Sequence, residues 1–386
     1  MIYALATRRG AFGIGDYLKT DGRDVAHLVT VLTYEDACDR GTIPIGAYLF
    51  TGLEELTKTE SVLVGRVRQA LAAASPSTSR FNDPVRWYRR GDLLQAAFCA
   101  GVNGFRAIRP ADLLRRLQFP VFVRSESQHT GALSPLLFDR PAVLRALLAA
   151  LIRGHRLADL LIVEYCHTAD AAGVYAKYSA MILGSRIVPR SLTLNRDWVT
   201  KFEGRITDPP AAEADLRYVD NNPHEAWLRR VCELGGVEYG RVDYGVLDGR
   251  LQLWEINTNP TIGADLAHEA PTTEILEAAD RGPDAGARRL MQRGNLRFYA
   301  RLREAWEDLS GATRDAMDAD GIIPGRVVSI PVSGAERRRL DRERSMRARV
   351  LAHRTAIATI AAPMRRAYRL RHRTPQSSGA SGSLFK

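Results

Sequence analysis

Four cysteines in 386 residues, Cys38, Cys99, Cys166 and Cys232, are too few and too scattered for a disulfide framework. No two of them form a Cys-x-x-Cys pair, so a zinc site is not indicated either. Long apolar runs are also missing. The longest, Val143–Ile152, contains Arg145 and is too short to span a bilayer, so no transmembrane helix is expected. The opening MIYALATRRGAFGIGDYLK has no continuous apolar core, which argues against a signal peptide. The P-loop pattern G-x-x-x-x-G-K-[ST] is absent. The opening reads as unpatterned, so Gly10, Gly13 and Gly15 are not expected to follow a strand or open a helix, and a dinucleotide fingerprint is not supported. Reduced cysteines and no membrane signal fit a cytoplasmic protein.

What is present is ordinary for a globular chain: 45% hydrophobic and 26% charged residues. Its length predicts two or three domains. The net charge of +11 is uneven. From Glu336 to Arg373 there are 13 arginines against three acids, 13 − 3 = +10, so the rest of the chain is close to neutral. The high pI therefore says little about what the body binds.

The most informative stretch is Arg241–Gly263, RVDYGVLDGRLQLWEINTNPTIG. Val242–Leu247 and Leu251–Ile256 read as strands around Asp248-Gly249, a strong hairpin signal because a type I′ turn needs positive φ at both central residues. Asp243 lies on the first arm. Glu255 and Asn257 lie two residues apart on the second, hence on one face. A hairpin lets the three converge as a hard-oxygen set, which suits Mg²⁺ beside phosphates. The plainer alternative is a solvated surface hairpin. Against it, Trp254, Ile256 and Pro260 surround these polar groups, and polar groups among apolar neighbours need partners.

This stretch resembles the ATP-grasp family, in which R-x-D is followed by E-x-N-x-x-P on the last strands of the nucleotide domain. Arg241, Asp243, Glu255, Asn257 and Pro260 match it position by position. The resemblance spans roughly residues 111 to 303 and is that of glutathione synthetase-like carboxylate–amine ligases. It implies an α+β fold of two subdomains clasping ATP. It implies Mg²⁺ (or Mn²⁺) held by Asp243, Glu255 and Asn257, with Arg241 facing the reacting group. At the end of the strand-like LLIVEYC, Glu164 and Tyr165 would hold adenine, and Asp170 would reach the ribose. Arg124 ends the strand FPVFVR, where the family usually has Lys on the α- and β-phosphates; Arg keeps the charge but offers a planar fork. The loop that follows, SESQHTGALS, would be the lid. It has one glycine, Gly131, where family lids are richer. His129 in it would contact phosphate or substrate, or is a solvated loop residue. Lys177, Arg190 and Lys201 would neutralise phosphate or bind a carboxylate; surface solvation explains any one of them equally well. Arg190 is favoured for catalysis because it follows a buried-type strand.

Along the chain, Val25–Leu32 and Ala47–Phe50 read as strands, Tyr34–Gly46 as a loop, Leu53–Thr57 and Glu60–Ala74 as helix, and Asp92–Ala100 as helix. Alternation of strand and helix predicts a small α/β domain at residues 1–110. Ala111–Leu117 and Pro141–Arg153 read as helices, and Phe119–Arg124 and Leu160–Cys166 as buried strands. Val174–Leu183 and Arg186–Leu192 read as a hairpin, and Glu225–Leu234 and Thr272–Ala279 as helices. This order fits an ATP-grasp domain over 111–330, with Asn295–Asp308 and Gly311–Ala319 helical and Ile322–Val332 extended. Residues 331–386 are a basic helical tail ending in the polar SSGASGS.

The resemblance implies an ADP-forming ligase. ATP would phosphorylate a carboxylate, and an amine or thiol would attack the acyl phosphate. An ATP-grasp kinase and a non-catalytic ATP-binding module are the other readings. The partners expected are a small carboxylate and an amine. For the tail, a helix packed on the body, an anionic membrane surface, and nucleic acid or an acidic carrier all remain open. Glu255→Ala is expected to abolish turnover with the fold intact. A truncation before Glu336 is expected to keep ATP binding and lose association with anionic liposomes.

Overall fold

A computed structural model describes residues 1–112, 117–129, 131–201, 204–263, 285–330, 332–346, 348–350 and 352. The expected helix Thr272–Ala279, the middle of Ala111–Leu117 and the tail beyond residue 352 lie outside these. Among the described residues the strands are β1 Ile2–Ala6, β2 Val29–Thr33, β3 Thr42–Pro44, β4 Ala47–Phe50, β5 Arg80–Phe81, β6 Ala107–Ile108, β7 Val121–Ser125, β8 Leu160–Glu164, β9 Tyr175–Leu183, β10 Arg186–Asn195, β11 Tyr239–Leu247, β12 Arg250–Asn257 and β13 Val327–Ser329. The helices are α1 Phe12–Lys19, α2 Tyr34–Arg40, α3 Lys58–Ala74, α4 Arg90–Cys99, α5 Arg140–Ile152, α6 Pro209–Asn221, α7 Glu225–Gly235 and α8 Ala285–Ala319. The chain is thus mixed α and β, with its strands in four sheets among the described residues.

The first sheet is parallel, in the order β2-β1-β4-β5. Its two central strands, β1 and β4, are buried on both faces, which is why IYALA and AYLF read as continuous apolar runs rather than alternating ones. Ile2, Ala4, Ala47 and Leu49 pack toward α1 and α8, whereas Leu5, Tyr48 and Phe50 pack toward α2 and α3. β1 corrects the reading of the opening as unpatterned. Gly10, Gly13 and Gly15 do follow a strand, and α1 begins at Phe12. Gly10 is there for space: a Cβ would sit 2.7 Å from Asn259 Nδ2, in the turn after β12. Tyr34–Arg40 is a helix capped by Thr33, not a loop. β2 starts at Val29, since Arg23–Val25 forms a 3-10 turn.

Two antiparallel sheets follow. β6-β8-β7 is covered by α5 through Val121, Val123, Leu160 and Ile162. β10-β9-β11-β12 is covered on one face by α6 and α7 through Ala180, Ile182, Val242 and Tyr244. The expected β11–β12 hairpin is present, with positive φ at both Asp248 (50°) and Gly249 (74°). Asn82 fastens the first sheet to this one. Its amide donates to the carbonyls of Phe50 (3.0 Å) and Tyr239 (2.8 Å) and accepts from the N–H groups of Glu238 and Tyr239.

α8 is one helix of 35 residues, not two, and Gly311 lies within it with no atom near its Cβ direction. Phe298, Leu302 and Trp306 bury its inner side against the first sheet and β9–β11. The extended stretch after it pairs as β13 with β3. Residues 334–346 are helical and lie on α3: Glu336 pairs with Arg66, Thr59 Oγ1 donates to Glu343 (2.6 Å), and Leu340 is buried. The tail therefore begins as a helix packed on the body. A cut before Glu336 removes these contacts and does not isolate a free arm.

Candidate active site

The β10-β9-β11-β12 sheet has one face left over from α6 and α7. Alternation places Lys177, Ser179, Arg241, Asp243, Glu255 and Asn257 on it. In register, Asp243 stands opposite Glu255 on β12 and opposite Ser179 on β9, and Arg241 stands opposite Asn257. Trp254 forms a bulge immediately before Glu255, which re-aims the strand end. The convergence expected from sequence is therefore present.

Each of these oxygens already has a partner. Arg241 donates to both oxygens of Asp243 (2.8 and 3.1 Å), and Ser179 Oγ donates to Asp243 Oδ1 (2.9 Å). Asn257 Oδ1 accepts the N–H of Asn259 (2.8 Å). Glu255 Oε2 meets Arg124 at 2.8 Å and Arg90 at 2.9 Å, and Oε1 lies 3.6 Å from His129. Arg124 comes from β7, so this contact closes one antiparallel sheet onto the other. Burial would raise the Glu255 pKa, but the two guanidinium groups and His129 hold it well below the usual carboxylate range. Burial and the like charge of Arg90 pull Arg124 down to about 10. Because Glu255 neutralises buried arginines, the expectation that it can be removed without touching the fold is corrected.

His129 is drawn in rather than solvated. Its Nε2 lies 3.0 Å from Glu54, which also accepts from Thr258, and its Nδ1 lies 3.1 Å from Arg90. Burial opposes its charge, but Glu255 and Glu54 outweigh it and raise its pKa to about 9. The sign follows. A histidine whose folded pKa exceeds the unfolded value of about 6.5 stabilises the fold below about 6.5 and loses that contribution as pH rises through about 9. Urea midpoints are expected to fall over that window, with a slope of at most about 1.4 kcal/mol per pH unit for one proton. His129→Gln is expected to flatten it. An unchanged slope in that variant rules His129 out as the titrating group.

Arg90, the first residue of α4, had no motif to mark it. Its Nη1 donates to the carbonyls of Ser125 (3.0 Å), Glu126 (2.7 Å) and Gln128 (3.0 Å), so it holds the loop after β7 in place. Glu54 and Ser179 were also missed. Their partners Thr258 and Asp243 lie 204 and 64 residues away. No local signal marks either one.

The remaining expected residues are placed unevenly. Lys201, after β10, lies against Gly131 of the loop after β7, with its Cε 3.3 Å from where a Cβ would be. Tyr165 sits in an aromatic corner with Trp198 (centroids 5.8 Å), and its hydroxyl meets the Tyr175 hydroxyl (2.6 Å) and His167 Nδ1 (2.9 Å). Glu164 alternates with Leu160 and Ile162, toward α5 and away from Arg124. Its carboxylate takes Arg106 and the N–H groups of Arg106 and Gln118 (both 2.9 Å). Asp170 closes its own loop by accepting from Ala172 and Val174. Arg190, the favoured catalytic cation, instead turns to α8. It donates to Asn295 (2.8 Å) and lies 4.6 Å over the Phe298 ring.

Where the two antiparallel sheets meet, carboxylates oppose cations from both, an arrangement suited to binding a highly charged small molecule. No known protein-family model matches the chain, and no curated protein does. Solved structures do resemble it. D-alanine–D-alanine ligase from Bacillus anthracis is 13% identical over 79% of this chain and 99% of that one, with a TM-score of 0.41. L-amino acid ligase from Bacillus licheniformis is 12% identical over 86% and 80%, with a TM-score of 0.43. D-alanine–D-alanine ligase from Coxiella burnetii is 10% identical over 80% and 98%, with a TM-score of 0.41.

Proposed function

We propose that this protein is an ATP-grasp enzyme that uses ATP to activate a small carboxylate for attack by an amine or thiol. The observation that carries this reading is the convergence of Arg241, Asp243, Glu255 and Asn257 on one sheet face, met from the other sheet by Arg124. In this reading residues 1–110 form a preceding α/β domain, 111–330 the nucleotide domain and 331–386 the basic tail.

Two carboxylates and an amide are a hard-oxygen donor set that fits magnesium. In this reading the third protein ligand, beside the two carboxylates, would be the Asn257 amide. Asp243, Glu255 and Asn257 would hold the ion, which supplies charge neutralisation at the phosphates. The cations now on Glu255 would then be free for the phosphates themselves. Arg124 on β7, Lys177 on the sheet face of β9, and His129 and Lys201 from the two loops would serve them. The aromatic corner at Tyr165 and Trp198 offers a stacking surface for the base. With Glu164 facing away, its side chain is not assigned to adenine. Arg241 is placed toward the carboxylate. A substrate carboxylate oxygen attacks the terminal phosphorus and ADP leaves; the amine then attacks the acyl carbon and phosphate leaves. The work asked of the protein is positioning and charge stabilisation.

Two measurements test this. ATP is expected to stabilise the protein only with Mg²⁺, by about 2.7 kcal/mol at about 100 times Kd. No heat and no thermal shift at millimolar ATP and Mg²⁺ would defeat the nucleotide reading. Hydroxylamine is then expected to trap an acyl hydroxamate from the correct member of a carboxylate panel. ATP turnover with a phosphorylated product and no hydroxamate favours a kinase, and binding without turnover favours a non-catalytic module.

A further inference from the structure

α5 is apolar nearly all round, which belongs to a helix buried on all sides. Its inner side, Val143, Leu147 and Ala150, covers β7 and β8. Its outer side is bare: Leu144 is 54% exposed, Leu148 58% and Ile152 68%, with Leu151 beside them. At 100° per residue these four share one side, and Arg145 flanks it. Leu157 and Arg156, exposed beyond the helix end, continue the same mixture. From Arg140 to Ala158 there are four arginines and no carboxylate. The acids that bracket the stretch are engaged in hydrogen bonds of the fold, Asp139 at an exposed position. Asp139 caps the helix at the Ala142 N–H, and Asp159 accepts from Ser125 and Ser127.

We propose that the outer face of α5 docks on an anionic lipid bilayer. A contiguous apolar face of this kind on a soluble domain marks an interaction surface. The arginines choose the partner. In a twofold pair of identical chains, each face meets its own copy, so Arg145 and Arg156 of both chains would enter one contact with no carboxylate from the stretch to pair them. An anionic bilayer offers hydrocarbon to Leu144, Leu148, Leu151 and Ile152 and phosphate groups to the arginines, whose stems can lie along the apolar surface. No helix among the described residues is long and apolar enough to cross a membrane, so the contact is peripheral. α5 covers the side of β7 and β8 opposite to Arg124, so a docked molecule leaves the Arg124 side uncovered.

Cosedimentation of the full-length protein with vesicles of phosphatidylglycerol and phosphatidylcholine in equal parts tests this, against vesicles of phosphatidylcholine alone. Binding is expected to the anionic vesicles, weakened by salt. The variant L148Q/I152Q, which leaves the basic tail intact, is expected to lose at least about tenfold in partitioning. R145E is expected to lose binding as well, and since its side chain is exposed it reads the same face if the double variant does not fold. Equal binding by wild type and R145E, or equal binding to neutral vesicles, overturns the proposal; so does no binding at all. A dimer by ultracentrifugation that L148Q/I152Q splits, without vesicle binding, overturns it in favour of a second copy.

Discussion

Glu255→Ala is expected to abolish turnover and also to cost about 3–5 kcal/mol of stability, the usual effect of removing one partner from a buried ion pair. The second effect follows from the structure. Glu255 stands between Arg90 and Arg124, whose side chains are 5% and 12% exposed, and it is their only common carboxylate among the described residues. Alanine leaves two like charges facing each other without compensation. Glu255→Gln keeps the volume and loses the charge, so it separates packing from electrostatics. Denaturant midpoints of the three proteins, read beside hydroxamate formation well below their melting points, check both claims. A fully active alanine variant removes Glu255 from the site. An inactive one of unchanged stability removes the buried ion triad from the account.

Arg90→Ala is expected to abolish turnover nearly as completely, although no reaction step is assigned to Arg90. It is a positioning residue. One nitrogen serves three carbonyls in the loop after β7, and the other pairs with Glu255 beside the His129 ring. Its loss leaves buried acceptors unsatisfied at about 1–3 kcal/mol each and frees the loop that carries His129. Turnover is expected to fall at least about 100-fold, as misplacement by about 1 Å can do. Arg90→Lys is expected to rescue the ion pair but not the loop, because an ammonium cannot reproduce the planar fork. ATP affinity that falls while turnover at saturation is unchanged would confine Arg90 to binding.

The hairpin was legible because its information is local. Asp248-Gly249 sets the turn, and the turn sets which residues face each other, so Asp243, Glu255 and Asn257 could be grouped before any coordinates. Strands β4, β7 and β8 were legible for the same reason, as short apolar runs. β1 was not, because IYALA runs straight into TRRGAFGIG without a turn signal. α8 read as two helices because Ser310-Gly311 looks like a stop, and only the packing of Phe298, Leu302 and Trp306 shows why the helix continues. Arg190 reads as a site cation because its neighbour in sequence is a buried-type strand, whereas its neighbour in space is Asn295, 105 residues on. Glu164 was assigned by position at a strand end, and alternation turned it the other way.

By itself the sequence determined the charge distribution, the hairpin, the hard-oxygen set and the identity of the cation on β7. The charge distribution is composition, and the others depend on periodicity and turn chemistry over fewer than about 25 residues. The tertiary structure alone decided what those oxygens face. Arg90, Arg124, His129 and Glu54 come from separate parts of the chain, and nothing in their surroundings along the chain says that they meet. They meet because a buried carboxylate or guanidinium is too costly to leave unpaired, so packing two sheets together selects the partners. The same holds for α5. Its sequence shows only an apolar helix, and the fold decides that Val143 and Leu147 are spent on the core while Leu148 and Ile152 are left outside.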